Sequence, residues 1–339
     1  MQDKTTPQWL SAPETVHWAV TYRCSKDCPE CYTMRFRHAG TELSLEGAIK
    51  VVEKLAKWGV FQLAIGGGEP FEKEGLPDIV SRATASGLVV HATTGIKDFR
   101  YKDISPYAGN IRNIQIGLST HDLSLVSYND LKNPLANTIR VVKDAGISPG
   151  VNIILTKQVL RNFDTILESI VSSGVERIVF IRFKPPDSRK LWQREKPDQD
   201  QLLFLQRKIT SIRKKYPEVE LRTDCALSFL QRYIPESLSK YAGLKGCVAG
   251  DRILAISPGG DMYPCSQLVS EAMNAGNILR DDLQEVWDKS TILRKYRFFR
   301  NGSALKDSWC GVCSQKDSCG GCRVFAHDAV GGDPGCPEP

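Results

Sequence analysis

Cys24, Cys28 and Cys31 stand at C-x3-C-x2-C spacing in the run Cys24-Ser-Lys-Asp-Cys28-Pro-Glu-Cys31-Tyr32, directly after an apolar, strand-like stretch. Three thiolates on one short loop can hold three irons of a cubane [4Fe–4S] cluster and leave the fourth without a protein ligand, whereas an electron-transfer ferredoxin supplies a fourth cysteine. An open iron can bind a small molecule. Zinc is the competing reading, but it needs a fourth ligand, and the nearest candidates, His17 and His38, lie at no familiar finger spacing. A second motif, Gly66-Gly67-Gly68-Glu69-Pro70, closes the apolar run Val60-Phe-Gln-Leu-Ala-Ile65. Backbone without Cβ atoms can hydrogen-bond a ligand directly at such a place.

Seven more cysteines crowd the last third: Cys247, Cys265, Cys310, Cys313, Cys319, Cys322 and Cys336. Gly260, five residues before Cys265 in Pro258-Gly-Gly260-Asp-Met-Tyr-Pro264-Cys265, marks a hairpin. Cys310-x2-Cys313-x5-Cys319-x2-Cys322 is too compressed for a zinc ribbon, whose paired knuckles are about 15–20 residues apart. Two cubanes use such ligands more naturally. Cys225 stands outside both groups; it is a candidate ligand, although a lone cysteine is more often a small buried hydrophobe, the reading favoured here.

The elements that must carry these residues alternate. Strand-like runs at Val16–Thr21, Gln62–Gly66, Val89–Thr93, Asn113–Ser119, Gly150–Thr156 and Arg177–Phe183 are separated by helical periods at Ser44–Trp58, Leu76–Ser86, Leu135–Ala145 and Asn162–Ser173. In the first helix Leu45, Ala48, Ile49, Val52, Leu55 and Ala56 recur behind Ser44, an N-cap candidate, and Gly146 and Gly174 are placed to end the last two. Six βα units predict a parallel sheet with outer helices, curling toward a barrel, with its site at the C-terminal strand ends. A helix over Gln199–Tyr216, with Leu202, Leu203, Leu205, Ile209 and Ile212 inward, is broken by Pro217. The expected domains are 1–217, a bridge over 218–246, and a cysteine-rich domain over 247–339.

Composition narrows the class. At 339 residues the chain exceeds one average domain, and its eleven cysteines, an odd number without a signal peptide, point to metal ligation in a reducing, cytoplasmic compartment rather than to disulfides. No apolar stretch reaches the roughly 20 residues of a membrane span. The net charge of +6 is dispersed. Arg35-Phe-Arg37-His38 and Arg213-Lys214-Lys215 have no aromatic-interleaved basic stripe beside them, which argues against nucleic acid.

The three-cysteine loop and the complete Gly66–Pro70 motif resemble the radical SAM enzymes. The resemblance implies an α/β fold with a partial (β/α)6 barrel, S-adenosylmethionine chelated at the open iron, its methionyl ammonium at Gly66, Gly67, Gly68, Glu69 and Pro70, and a 5′-deoxyadenosyl radical as product of its cleavage. Where the family carries an aromatic residue before the third cysteine, this chain has Glu30; Tyr32 is the alternative ring for the adenine. Gly117-Leu-Ser119-Thr120-His121-Asp122 resembles the family's Ser-x-Asp segment, making Ser119 a candidate contact that turn chemistry would explain equally well. Thr93-Thr94-Gly95 is a weaker one.

The later cysteines, with Gly276-Asn277-Ile278, Leu283-Gln-Glu-Val-Trp287 and Cys319-Gly-Gly-Cys322-Arg323, resemble the SPASM domain, which carries two auxiliary [4Fe–4S] clusters. By that resemblance Cys247, Cys265 and Cys322 bind the proximal cluster, and Cys310, Cys313, Cys319 and Cys336 the distal one. The spacing of Cys319 and Cys322 is one residue shorter than in many members. Three clusters imply oxidative radical chemistry, with a donor such as flavodoxin or ferredoxin. Sulfatase maturases have an Asp where this chain has Ser266, a poor general base without a partner, so that reaction is disfavoured unless Asp261 or Asp251 substitutes.

Only Met1 to about Pro13 precedes the first strand, whereas many peptide-maturing relatives carry a leader-gripping domain there. The expectation is a peptide maturase that forms a C–C or C–S crosslink in a ribosomal peptide, with a separate leader-binding protein, or else a small substrate such as a tetrapyrrole side chain. An iron–sulfur carrier or zinc module needs no Gly66–Pro70 loop. Anaerobically purified protein should carry about twelve irons, three cubanes of four. Replacing Cys24, Cys28 and Cys31 by Ala should remove about a third of the iron and abolish SAM cleavage, as measured by iron analysis and 5′-deoxyadenosine release.

Overall fold

The computed structural model describes residues 9–33, 40–119, 122–123, 128–185, 189–233, 246–301, 303–306, 308–326 and 332–336. The chain folds into two compact units, neither continuous in sequence: Met1–Cys24 with Phe36–Ala92 and Val248–Phe299, and Ser25–Arg35 with Thr93–Cys247 and Arg300–Pro339.

In the first unit, β1 (Thr15–Ala19) pairs in parallel with β2 (Gln62–Gly66), and β2 with β3 (Val89–Thr94), from Val16 opposite Leu63 to Ile65 opposite Ala92. Val16, Trp18, Leu63 and Ile65 are buried and alternate with half-buried neighbours, so one face of each strand lies in the core. The β1–β2 crossover is the helix Leu45–Trp58: Ser44 caps it by accepting from the Gly47 N–H (3.2 Å), and Gly59, at φ +94°, ends it in the left-handed region. Its buried stripe is Ala48, Val51, Val52 and Leu55. Leu45 points out and Ile49 and Ala56 are half-buried, because the helix rolls to bring Val51 onto the sheet.

The predicted hairpin exists, with β8 (Ile253–Ile256) antiparallel to β9 (Asp261–Tyr263), but it does not stand apart. β8 adds in parallel to the free edge of β1, Val16 opposite Leu254, and β10 (Gly276–Asn277) continues the sheet beyond β9. Gly260 turns the hairpin at φ +90°. Trp287 is buried and donates from its indole Nε1–H to the Leu10 carbonyl (2.7 Å), while the Arg297 guanidinium lies 4.3 Å over its ring and donates to Gly250 O (2.7 Å) and Trp287 O (2.8 Å). Burial pulls the Arg297 guanidinium down to about 10 against the opposing carboxylates of Asp251 and Asp288.

In the second unit, β4 (Asn113–Leu118), β5 (Ser148–Leu155), β6 (Arg177–Arg182) and β7 (Glu220–Thr223) form a parallel series. β7 lies in the stretch expected to be a bridge. It escaped the sequence pattern because, of its four residues, only Leu221 is buried. The helix expected from Leu135 begins at Tyr128 and runs through Pro134. The predicted helix over 162–173 is present as Phe163–Ser172, and a further short helix, Lys157–Arg161, precedes it with Asn162 between them. Gly146 and Gly174 have positive φ, as expected of helix ends. Asp198 and Gln201 form a reciprocal capping box at the start of Gln199–Lys215, where Leu202, Leu205, Ile209 and Ile212 are buried and Leu203 only half-buried. No helix among the described residues is long and apolar enough to cross a membrane.

Candidate active site

The glycine motif begins at the last residue of β2, and its backbone grips the chain that leaves β1. Val20 N donates to Gly66 O (3.0 Å), Gly68 N to Thr21 O (2.8 Å) and Glu69 N to Arg23 O (2.7 Å), the residue before Cys24. Two of the glycines are required by that approach. Gly67, at φ +119°, would put a Cβ 2.8 Å from Thr21 O, and a Cβ at Gly68 would overlap the Arg23 carbonyl; a Cβ at Gly66 meets nothing within 4 Å. The motif therefore aims the cysteine loop as well as baring backbone for a ligand. Glu69 is buried, and its carboxylate accepts from Phe71 N (3.3 Å) as it caps the short turn Pro70–Glu72.

A carboxylate that sequence reasoning passed over completes this hold. Glu42 accepts from the Thr21 hydroxyl (2.7 Å), Tyr22 N (2.7 Å) and the Lys73 ammonium (3.0 Å). Burial alone would raise it, but these donors prevail and keep it below the usual carboxylate range. Nothing in the sequence marks Glu42, since its partners lie about 20 and 30 residues away.

Cys28, Cys31 and Tyr32 follow in the second unit. Cys31 N donates to Cys28 O (3.0 Å), the Cys31 thiol meets the buried Thr33 hydroxyl at 3.0 Å, and the Lys26 ammonium donates to Gly95 O, tying the loop to the end of Thr93-Thr94-Gly95. Glu30 is buried and Tyr32 half-buried. Ser119 is engaged locally. Its N–H and hydroxyl donate to Asp122 Oδ2 (2.7 and 2.6 Å), and Lys97 pairs with the same oxygen at 2.5 Å. Burial would raise Asp122, but Lys97 and Ser119 hold it low. Thr120 and His121 lie outside the described residues. Asp261 serves the hairpin by accepting from Asn277 (2.9 Å) and pairing with Arg280 (3.5 Å).

The cysteine-rich C-terminal segment converges. Cys310, Cys313, Cys319 and Cys336, expected to share one cluster, line a single recess with Trp309, Phe229 and Asp333. The Trp309 indole N–H is buried and has no hydrogen-bond partner among the described residues, as expected of a donor directed at cluster sulfur. A four-thiol recess with an unmet donor fits an iron–sulfur cluster. Gly332, at φ +88°, leaves room there, since a Cβ would lie 3.0 Å from Trp309 Nε1.

The recess is organised by a buried pair. Arg182, at the end of β6, donates from Nη1 and Nη2 to Asp333 Oδ2 (2.7 Å) and Oδ1 (2.8 Å), and also from Nη1 to Ala226 O (3.1 Å). Asp333 in turn accepts from Cys322 N (2.9 Å) and Gly335 N (2.9 Å), its own N–H reaches Cys310 Sγ (3.5 Å), and its carbonyl accepts from Cys336 N (3.1 Å). Arg300 donates to both Cys247 O and Cys319 O at 3.1 Å. Cys265 lies after β9 in the first unit, where its carbonyl accepts from Leu268 N (2.9 Å). A cavity of about 430 Å³ opens beside Arg182, between Trp192, Lys196, Asp198 and Phe325.

A radical SAM superfamily model matches residues 18–170, and the SPASM model, an iron–sulfur cluster-binding domain, matches residues 247–322. The chain carries a radical SAM domain followed by a SPASM domain. The radical SAM domain binds S-adenosylmethionine and a [4Fe–4S] cluster, and the SPASM domain binds auxiliary clusters. Among curated proteins the chain is 27% identical over 346 residues to the mycofactocin maturase MftC of Mycolicibacterium smegmatis, covering 97% of this chain and 84% of that one. It is 25% identical over 347 residues to the AdoMet-dependent heme synthase of Methanosarcina barkeri, covering 95% and 94%. Streptococcus suis SuiB, solved with its precursor peptide SuiA, has the same fold, with a TM-score of 0.76, 18% identity, and coverage of 98% of this chain and 77% of SuiB.

Two outcomes test the radical SAM and SPASM geometry. Gly68→Ala should fail to place the cysteine loop and lose SAM cleavage, whereas Gly66→Ala should fold with unchanged thermal unfolding. Asp333→Asn leaves the Arg182 charge buried without its counter-ion and should cost about 3–5 kcal/mol in denaturant unfolding, together with auxiliary iron. Burial would raise Asp333, but Arg182 and the backbone donors lower it. The pair's stabilisation should therefore be full above roughly 3.9, the ordinary aspartate value, and fade as pH falls below it.

Proposed function

We propose that this radical SAM/SPASM protein is a peptide maturase, an oxidoreductase that forms a C–C or C–S crosslink in a ribosomal peptide. The likeness to MftC over nearly the whole chain carries the reading. Residues 1–217 form the radical SAM part, 218–246 the bridge and 247–339 the auxiliary-cluster part. Cys24, Cys28 and Cys31 hold the SAM cluster; Gly66 to Pro70, Tyr32 and Ser119 contact SAM. Cys247, Cys265 and Cys322 hold the proximal auxiliary cluster, and Cys310, Cys313, Cys319 and Cys336 the distal one. Held by Cys24, Cys28 and Cys31, a reduced cluster with SAM would supply radical hydrogen-atom abstraction, and clusters held by the later cysteines would supply electron acceptance.

The chain's own residues bind, aim and shield. The Gly67 and Gly68 contacts aim the cysteine loop, Glu42 and Lys73 fix its approach, and Arg182 with Asp333 holds the auxiliary ligands in register. To contact the SAM ribose, Ser119 must share its hydroxyl with Asp122 or release it. The cavity beside Arg182, with aromatic walls at Trp192 and Phe325, is of a size to take a peptide side chain. A flavodoxin or ferredoxin as donor, a separate leader-binding protein and a cytoplasmic location complete the reading.

The near full-length likeness to the heme synthase favours a second reading, oxidation of a tetrapyrrole side chain. Incubation of reconstituted enzyme, SAM and reductant with a precursor peptide, with and without a leader-binding protein, separates the two. The maturase reading expects loss of two hydrogens from the peptide by mass spectrometry. Turnover of a tetrapyrrole and none of any peptide would replace it. Changing Cys310 and Cys313 to Ala should leave 5′-deoxyadenosine formation detectable while stopping product formation.

A further inference from the structure

The cluster assignment above leaves the proximal auxiliary site one thiolate short, with Cys247, Cys265 and Cys322 as its cysteines. We propose that Cys225 is its fourth ligand, closing the cluster with protein sulfur. This rests on the reading that the SPASM domain holds two [4Fe–4S] clusters, and three separate observations within the second unit carry it.

Cys225 opens a run of 3₁₀ helix, Cys225–Tyr233, directly after β7. With three residues per turn, positions i and i+3 of such a helix share one face. Three residues after Cys225, the Ser228 hydroxyl meets Cys319 Sγ at 3.1 Å. The face that carries Cys225 is therefore turned to the cysteine-rich loop.

The backbone around Cys225 is held to that of Cys322. Asp224 N donates to Phe180 O in β6 (2.9 Å), and the Asp224 carboxylate takes the Lys184 ammonium. On the other side, Arg182 Nη1 bridges Ala226 O and Asp333 Oδ2, and Asp333 Oδ2 accepts from Cys322 N. Three hydrogen bonds in series, at about 3 Å each, limit the gap between the Ala226 carbonyl and the Cys322 amide to roughly 9 Å. Cys247 is tied to the same loop, because Gly246 N donates to Ser318 O (2.6 Å) and Arg300 joins the Cys247 and Cys319 carbonyls.

The three cysteines also lie within electrostatic reach of one another. Cys225 interacts electrostatically with Cys247, Cys322 and Lys184, and Cys322 with Cys247 and Lys184. Cys225 is solvent-accessible while Cys247 and Cys322 are buried, so the set is reachable from outside. As a ligand, Cys225 would release its proton to solvent and donate a sulfur lone pair to iron, with Lys184 offsetting part of the added negative charge. A cluster closed in this way exchanges electrons without binding substrate.

The test uses full-length protein carrying Cys24→Ala, Cys28→Ala and Cys31→Ala, so that only auxiliary clusters contribute, purified and reconstituted without oxygen. This parent should hold about eight irons. Adding Cys225→Ala should change the reduced EPR and Mössbauer spectra and, after ferricyanide oxidation, yield a three-iron [3Fe–4S] signal with loss of about one iron per chain, as for a cubane with an unprotected corner. Cys225→Ser should retain the iron and shift the spectra through oxygen ligation, and it decides the matter on the same spectra if the alanine variant does not fold. Parent-like spectra and iron content in a folded Cys225 variant, before and after oxidation, would overturn the proposal. A parent with far fewer than eight irons would instead bring down the two-cluster reading on which it rests.

Discussion

The Arg182–Asp333 pair is the constraint on which the cysteine-rich site depends. Both side chains are almost wholly buried, at 6% and 1% exposure, and the guanidinium lies 3.7 Å from the centre of the Phe325 ring. Desolvating two such charges offsets most of their attraction, so a buried pair is weak evidence of net stability. Its value here is positional. A bidentate guanidinium accepts a carboxylate in one plane and one orientation, and this carboxylate also takes the Cys322 amide, while the Asp333 backbone reaches Cys310 and Cys336. One strand end thus sets the spacing of Cys310, Cys322 and Cys336, which lie more than 120 residues further along the chain.

Charge and geometry serve different ends at the two cysteine groups. At the three-cysteine loop the controlling contacts are backbone to backbone, and glycine makes them possible by removing the Cβ atoms that would strike Thr21 and Arg23. At the auxiliary site, cations surround the sulfur: Arg182, Lys184 and Arg300 all bond to groups next to cysteines. Burial alone would lower the Lys184 ammonium, but Asp224 and the thiols of Cys322 and Cys225 outweigh it and keep it charged. Burial pushes the thiols of Cys225, Cys310 and Cys322 up, and the neighbouring cations oppose that rise without reversing it.

Sequence and structure agree most closely where the signal is local. The six strands, the Ser44 cap, the helix ends at Gly146 and Gly174 and the hairpin at Gly260 follow from periodicity and turn chemistry, which neighbours along the chain determine. The same locality explains the misses. β7 has one buried residue to announce it, Pro134 masked two turns of helix, and the roll that buries Val51 in place of Leu45 is set by the sheet it packs on.

By itself the sequence determined the chemistry: cysteine number and spacing state which thiols share a loop, and the intact Gly66–Pro70 run states what accompanies them. Which thiols from different loops meet was decided by tertiary structure alone. The joining of β8 to β1 joins residues more than 230 apart in the chain, and the segment that carries Cys225 is held to the cysteine-rich loop through Arg182, Asp333 and Ser228. Those partners are spread from residue 182 to residue 333, and no short-range pattern links them, because a salt bridge or a strand pairing depends on where the folded backbone brings its ends and not on the residues between.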